Sequence, residues 1–309
     1  MHYRPLGNTG MNVSILGLGT APFGGAYGAF EKADAIRAVH TAFDLGVNIV
    51  DTSPYYGTTL SESVLGEALQ GIPRERYFLS TKLGRYGVND FDFSAARVAQ
   101  SVDESLARLQ VDYVDILLCH DIEFVSLEQI VNETLPALYK IQAQGKARFV
   151  GVSGLPLKIY SYVLDRARLD VILSYCHYCL NDNTLETLVP YLQEKNVGIM
   201  NAAATAMGLL TESGPPAWHP ASNEIKRACA HAAQFCRERG VNIVQLAVQY
   251  ALANPNFATT FVGSANPREI QENVRWSQEP LDAELLRQVE NILAPIHNHT
   301  WASGRPENN

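Results

Sequence analysis

Three observations predict an α/β chain folded as a (β/α)8 TIM barrel. Short apolar runs of strand length alternate with segments of helical periodicity along nearly the whole sequence. Eight such runs occur, which favours a closed barrel over an open sheet. Successive runs also end in ionisable side chains, and a barrel gathers the ends of its strands on one face. No linker, repeat or low-complexity segment interrupts the 309 residues. One domain over 1–309 is therefore expected, with a polar tail or loop at 295–309.

The chain opens with a hairpin over 3–17. Gly7-Asn8-Thr9-Gly10 forms its turn, because glycine and asparagine tolerate the positive φ of tight turns. The first barrel strand starts at Gly17-Leu18-Gly19-Thr20. Its Gly-x-Gly is followed by Ala21-Pro22 and by no tight helix start, so it is no Rossmann fingerprint. Helix 34–45 leads to strand 48–50, helix 61–69 to strand 77–81, and helix 95–109 to strand 114–118. Helix 127–144 precedes strand 147–152, helix 157–167 precedes strand 171–174, and helix 185–194 precedes strand 197–201. Two helices broken near Gly240 fill 223–253, strand 258–262 follows, and helices at 267–277 and 282–293 close the pattern.

Charge and composition remove several function classes. A net charge of −8 without a basic run offers no clustered positive face for nucleic acid. No stretch approaches the roughly 18 apolar residues of a membrane helix. The N-terminus also lacks a signal peptide's apolar core, so a soluble, cytoplasmic protein is expected. Five cysteines imply no disulfide framework. Cys176 and Cys179 have the spacing of a redox or zinc half-site. That stretch reads as continuing a strand, where residues three apart face opposite sides, and no second pair lies at zinc spacing. No metal is expected. Cys229 and Cys236, seven apart, read as one packed helix face.

The chemistry concentrates at three strand ends. Asp51-Thr-Ser-Pro-Tyr-Tyr56-Gly follows the second strand, Lys82 ends the third, and His120 ends the fourth. A tyrosine hydroxyl, with a reference pKa of roughly 10, is a poor acid or base near neutrality. A lysine ammonium beside it favours the phenolate and lowers that pKa. Asp51 would anchor Lys82, and His120 would orient a reacting oxygen. Such a relay moves a proton on an alcohol or carbonyl oxygen while a cofactor takes or gives a hydride. Taken singly, these residues read equally as an ion pair, a packing aromatic and a core histidine. Their joint order at strand ends favours the relay.

These four residues, set in D-T-S-P-Y-Y-G, S-T-K and D-Y-V-D-I-L-L-C-H, resemble the catalytic tetrad of the aldo-keto reductase family. The resemblance spans nearly the whole chain. It implies a hairpin plugging the barrel bottom and a nicotinamide cofactor lying extended across the mouth. The implied cofactor contacts are Gly19, Thr20, Asp51, Ser153, Tyr175, Met207, Gly208, Gly263, Ser264, Glu269, Glu272 and Asn273. The chain departs from the family's pattern in places. Gly154 replaces a usual Asn, Tyr175 a usual Gln, and Ala203-Ala204-Thr205 a usual Ser-Pro-Leu. NADP-preferring members carry Lys or Arg at the positions of Gly263 and Glu269. Here one side chain is missing and the other is acidic, so NAD is favoured over NADP.

Within the family the chain is similar to members that oxidise a free aldose at its anomeric carbon to the lactone. This implies a sugar substrate, L-galactose first. Phe23, Tyr27, Tyr56, Tyr86, His120, Asp121, His177, Trp218 and Trp301 are the candidates to surround it. The alternatives are another sugar such as L-fucose or D-arabinose, and a non-sugar aldehyde such as pyridoxal. A Schiff-base lyase using Lys82 is disfavoured by Asp51, and a cofactor-binding module without turnover by the intact tetrad.

Overall fold

The computed structural model describes residues 1–309, and eight parallel strands close into a barrel in the order β10-β3-β4-β5-β6-β7-β8-β9. The strands are β3 (Leu16–Gly19), β4 (Ile49–Asp51), β5 (Phe78–Leu83) and β6 (Val114–Cys119). The second half supplies β7 (Ala147–Gly154), β8 (Val171–Tyr175), β9 (Gly198–Ala202) and β10 (Thr259–Gly263). Their residues are mostly buried, as strands between a packed interior and a helical shell must be. The expected strands are thus present, with ends displaced by one or two residues.

The shell contains α1 (Lys32–Asp44), α2 (Leu60–Ala68), α3 (Ala95–Leu109), α4 (Leu127–Gln129) and α5 (Leu135–Ala143). It continues through α6 (Lys158–Leu164), α7 (Val189–Glu194), α8 (Asn223–Arg237), α9 (Ile243–Ala253), α10 (Pro267–Trp276) and α11 (Ala283–Leu293). The helix expected over 127–144 is divided, because a π-helical segment, Ile130–Thr134, separates α4 from α5. Pro136 accounts for it: the ring donates no hydrogen bond and crowds the carbonyl four residues back, so the preceding turn widens. The break between α8 and α9 falls where expected. Gly240 adopts φ +72°, and the Asn242 side chain caps α9 by accepting from the Val244 N–H.

The N-terminal strands β1 (Tyr3–Pro5) and β2 (Asn12–Ser14) form the expected hairpin. It plugs the barrel. Leu6, Met11 and Val13 are buried against Ile49, Ile116, Leu118, Val171, Leu173, Met200 and Phe261 from five of the barrel strands. Gly7 is required at the turn, since its φ is +50° and a Cβ there would lie 2.5 Å from the Gly198 nitrogen. Arg4 ties the hairpin to the shell by donating to the carbonyls of Leu252, Asn254 and Phe257.

One buried polar link joins the shell to the strand that carries Lys82. Glu62 on α2 is fully buried and accepts from Thr81 Oγ1 on β5 at 2.6 Å and from Arg108 Nε on α3 at 2.7 Å. Replacing Arg108 with Met leaves that carboxylate buried without its cation and is expected to cost about 3 kcal/mol in urea unfolding. The double variant Glu62→Leu/Arg108→Met is expected to recover most of the loss, because no unpaired charge remains. A double variant as unstable as the single one would contradict this account.

Candidate active site

Parallel pairing sets the site. Asp51 at the end of β4 lies opposite Ser80 on β5, and Lys82 on β5 lies opposite Leu118 on β6. Both charged side chains enter the buried mouth, where Lys82 is 1% exposed. Its ammonium donates to Asp51 Oδ2, to the Thr52 carbonyl at 2.8 Å and to the Tyr56 hydroxyl at 3.2 Å. Ser80 Oγ donates to the other Asp51 oxygen at 2.8 Å. The loop after β4 also supplies Ser53, whose hydroxyl lies 2.8 Å from His120 Nδ1 and holds the ring. That ring stands edge-on to both Tyr55 and Tyr56, with centroids 5.7 Å apart in each case.

Burial dominates the charge states. It pushes His120 down to about 3, so the ring is a neutral imidazole at physiological pH. Burial also raises Asp51, against the pull of Lys82 and Ser80. Tyr56 departs from the sequence expectation. Burial, reinforced by the carboxylates of Asp51 and Asp121, holds it well above the ordinary tyrosine value, and Arg85 only partly offsets them. The neighbouring ammonium does not win. Tyr56 is held as a phenol, able to give a proton as it stands.

Asp121 adopts φ +53° directly after His120. Burial works to raise its pKa, but the Arg85 guanidinium and the Lys82 ammonium outweigh it and hold the carboxylate below its usual range. Arg85 Nη1 donates to Asp121 Oδ2 at 2.5 Å. The Arg85 guanidinium lies over Tyr55, 4.0 Å from the centroid, and beside Phe91 and Phe124, and Nη2 donates to the Tyr55 hydroxyl. Sequence reasoning missed Ser53, Ser80 and Arg85. The two serines lie inside the motifs that carry the tetrad, and the need of each buried ionisable ring or carboxylate for a partner is the signal that points to them.

Of the implied cofactor contacts, Gly19 and Gly263 pair side by side at the ends of β3 and β10, and a Cβ on Gly263 would meet Pro22 at 2.9 Å. The two glycines let the ends of β3 and β10 and the Pro22 ring pack closely at the rim of the mouth. Met207 and Gly208 follow in a loop with positive φ. Ser264 Oγ donates to Glu269 at 2.5 Å in the first turn of α10, and Glu272 lies one turn further on. Asn273 is buried, and the Thr20 hydroxyl is taken up by the Asp51 carbonyl and Ser61. Ser153 Oγ accepts from the Asp121 N–H at 3.4 Å, and Tyr175 reaches Glu123 at 3.5 Å.

The candidate sugar residues divide. An aromatic chain links Tyr27 edge-on to Trp218, Trp218 to His219, and His219 edge-on to Trp301. Trp218 also donates to the Ala26 carbonyl, so loops after β3 and β9 meet over the mouth. By contrast, Phe23 is fully buried against Phe30, and the Tyr86 hydroxyl accepts from the Gly84 N–H with Arg97 over its ring. Their contacts are packing contacts. His177 is held by Thr184 at 2.8 Å and lies 3.3 Å from Asp182. The preceding stretch corrects the reading of the cysteines. The strand stops at Tyr175, and Cys176 turns to φ +61°, so Cys176 and Cys179 do not alternate on a strand; both are buried and free.

Glu123 is the further residue that sequence reasoning did not weigh. Fully buried, it accepts from the Leu155 N–H and from Ser303 Oγ. Its backbone carbonyl accepts from the Arg305 N–H and the Asn308 amide. The C-terminal segment is therefore fastened beside the mouth. Burial and the neighbouring Asp121 raise Glu123 to about 8. Above its usual value of 4.5 the unfolded chain releases the proton while the folded chain keeps it, so this group's contribution to stability falls between roughly pH 4.5 and 8. Glu123→Gln cannot titrate. Its melting temperature relative to the parent protein is expected to rise steadily from pH 5 to pH 8, and a constant difference would refute the assignment.

A closed eight-stranded barrel thus gathers Tyr56, Lys82, Asp51 and His120 at its strand ends. The sequence model of the Aldo/keto reductase family matches residues 15–294, and the chain belongs to that family. It is 53% identical to the L-galactose dehydrogenase of Arabidopsis thaliana, over 99% of this chain and 98% of that one. It is 32% identical to the D-arabinose 1-dehydrogenase of Saccharomyces cerevisiae, over 86% of each. Among solved structures, the holo form of an aldo-keto reductase from Bacillus halodurans superposes with a TM-score of 0.77 at 26% identity, over 100% of this chain and 99% of that one.

Proposed function

We propose that the protein oxidises a free aldose, L-galactose first, at its anomeric carbon, with NAD as acceptor and the lactone as product. The observation that carries this reading is the Tyr56 hydroxyl set 3.2 Å from the Lys82 ammonium beside a neutral, fixed His120. The names of the two sugar dehydrogenases support the substrate class. When bound, the nicotinamide supplies the acceptor for the hydride leaving the anomeric carbon. Gly19 and Gly263 would form the floor beneath the dinucleotide, with Met207 and Gly208 beside its pyrophosphate. Ser153 and Tyr175 would lie at the nicotinamide end, and Ser264, Glu269, Glu272 and Asn273 at the adenosine end.

The chain's own residues handle the proton. His120 orients the anomeric oxygen through the ring nitrogen not held by Ser53. Tyr56 takes the hydroxyl proton in the oxidising direction and returns it in the reducing direction. Because burial favours the phenol, the accepting form grows as pH rises. Oxidation is therefore expected to rise on the alkaline side and reduction to fall. Tyr56→Phe is expected to lower kcat by about 10²–10⁴ and to abolish that alkaline limb, while retaining NAD binding measured by fluorescence quenching. Full turnover in the variant would remove Tyr56 from the chemistry.

The direct test is NADH absorbance with L-galactose and a panel of other free aldoses, run with NAD and NADP in parallel. Turnover of non-sugar aldehydes alone would overturn the reading. The cofactor preference rests on Glu269, whose carboxylate can accept from ribose hydroxyls and repels a 2′-phosphate. Glu269→Arg is expected to raise kcat/KM with NADP relative to NAD by about tenfold or more, since a charge-assisted contact replaces a repulsion. An unchanged ratio would place the adenosine end elsewhere.

A further inference from the structure

We propose that the Asp121 carboxylate, fixed by Arg85, accepts a hydrogen bond from the substrate hydroxyl on the carbon next to the reacting one, and so selects 2-hydroxy sugars over 2-deoxy sugars. This rests on the reading of the protein as an aldose dehydrogenase and specifies which hydroxyl it reads.

The two carboxylate oxygens of Asp121 differ. Oδ2 takes the Arg85 guanidinium and lies 3.6 Å from His120 Nε2. Oδ1 is buried and has no partner in the protein. A buried charged oxygen without a donor is costly, and native structures rarely leave one unless a ligand or an ordered water supplies the donor. An ion pair serving only to seat Arg85 accounts for Oδ2 and leaves Oδ1 unexplained. Arg85 is in any case already packed among Tyr55, Phe91 and Phe124 and bonded to the Tyr55 hydroxyl.

Position gives the second argument. Ser53 holds Nδ1 of His120, so Nε2 is the ring nitrogen left for the reacting oxygen. The Asp121 carboxylate borders that nitrogen. The two oxygens of a vicinal diol lie about one hydrogen-bond length apart. An oxygen seated on Nε2 therefore brings its vicinal neighbour towards Asp121. The left-handed backbone at Asp121, which aspartate tolerates better than most residues, is part of this placement. Arg85, clamped between aromatic rings, keeps the carboxylate ionised and still, which suits an acceptor for a neutral hydroxyl.

The test compares L-galactose with 2-deoxy-L-galactose. In the parent protein kcat/KM is expected to favour L-galactose by about 100-fold or more, because the deoxy sugar leaves a buried acceptor unpaired. Asp121→Ala is expected to bring the ratio within about fivefold, because it costs L-galactose far more turnover than 2-deoxy-L-galactose. A purely structural role lowers both sugars in step, and that result would overturn the proposal. Should Asp121→Ala not fold, Asp121→Asn replaces it. The amide keeps the shape, loses the charge, and is expected to reduce the ratio at least tenfold. Arg85→Lys keeps the cation and is expected to preserve the selectivity. Equal turnover of both sugars by the parent protein overturns this proposal alone, whereas no turnover of any free aldose overturns the dehydrogenase reading and this one together.

Discussion

The contact on which the arrangement at the mouth depends is the buried ammonium of Lys82. A cation removed from water is tolerated only when its partners are nearly perfect, and here it has a carboxylate, a carbonyl and a phenol. Those partners come from β4 and the loop that follows it, so the pairing of β4 with β5 is a chemical constraint as well as a structural one. A slip of one residue would turn Lys82 or Asp51 out of the mouth. Glu62 binds Thr81 from the shell side, next to Lys82 in the chain, and so resists that slip.

Low polarity around this contact then decides the protonation of everything near it. His120 is neutral and Tyr56 is a phenol because burial outweighs the nearby charges. The same burial gives the carboxylates opposite characters. Asp121 stays ionised beside Arg85, while Glu123, two residues on, has no cation and holds a proton close to neutrality. Like charges so close together cannot both ionise readily. A phenol, an ionised carboxylate and a neutral imidazole thus occupy one small space.

Closure of the mouth follows from its rim. Loops after β3 and β9 touch through Trp218, and the C-terminal segment is held at Glu123. Gly154 belongs to the same arrangement, because a Cβ there would lie 2.5 Å from the Glu123 carboxyl. The absence of a side chain at 154 and the buried acid at 123 are therefore one steric solution.

Strand number, helix positions and the gathering of Asp51, Tyr56, Lys82 and His120 were legible in the sequence because each depends on local pattern: apolar runs, caps, breakers, and ionisable residues at the ends of runs. The π segment before Pro136 was not, since helical periodicity alone does not register a widened turn. Nor were Ser53 against His120, Arg85 against Asp121, or the C-terminal segment against Glu123, which joins residues 180 apart in the chain. The sequence by itself determined which groups arrive at the mouth. Only the tertiary structure decided their charge, because a pKa depends on how deeply a group is buried and on every charge around it, and both are set by distances that appear only when the barrel closes.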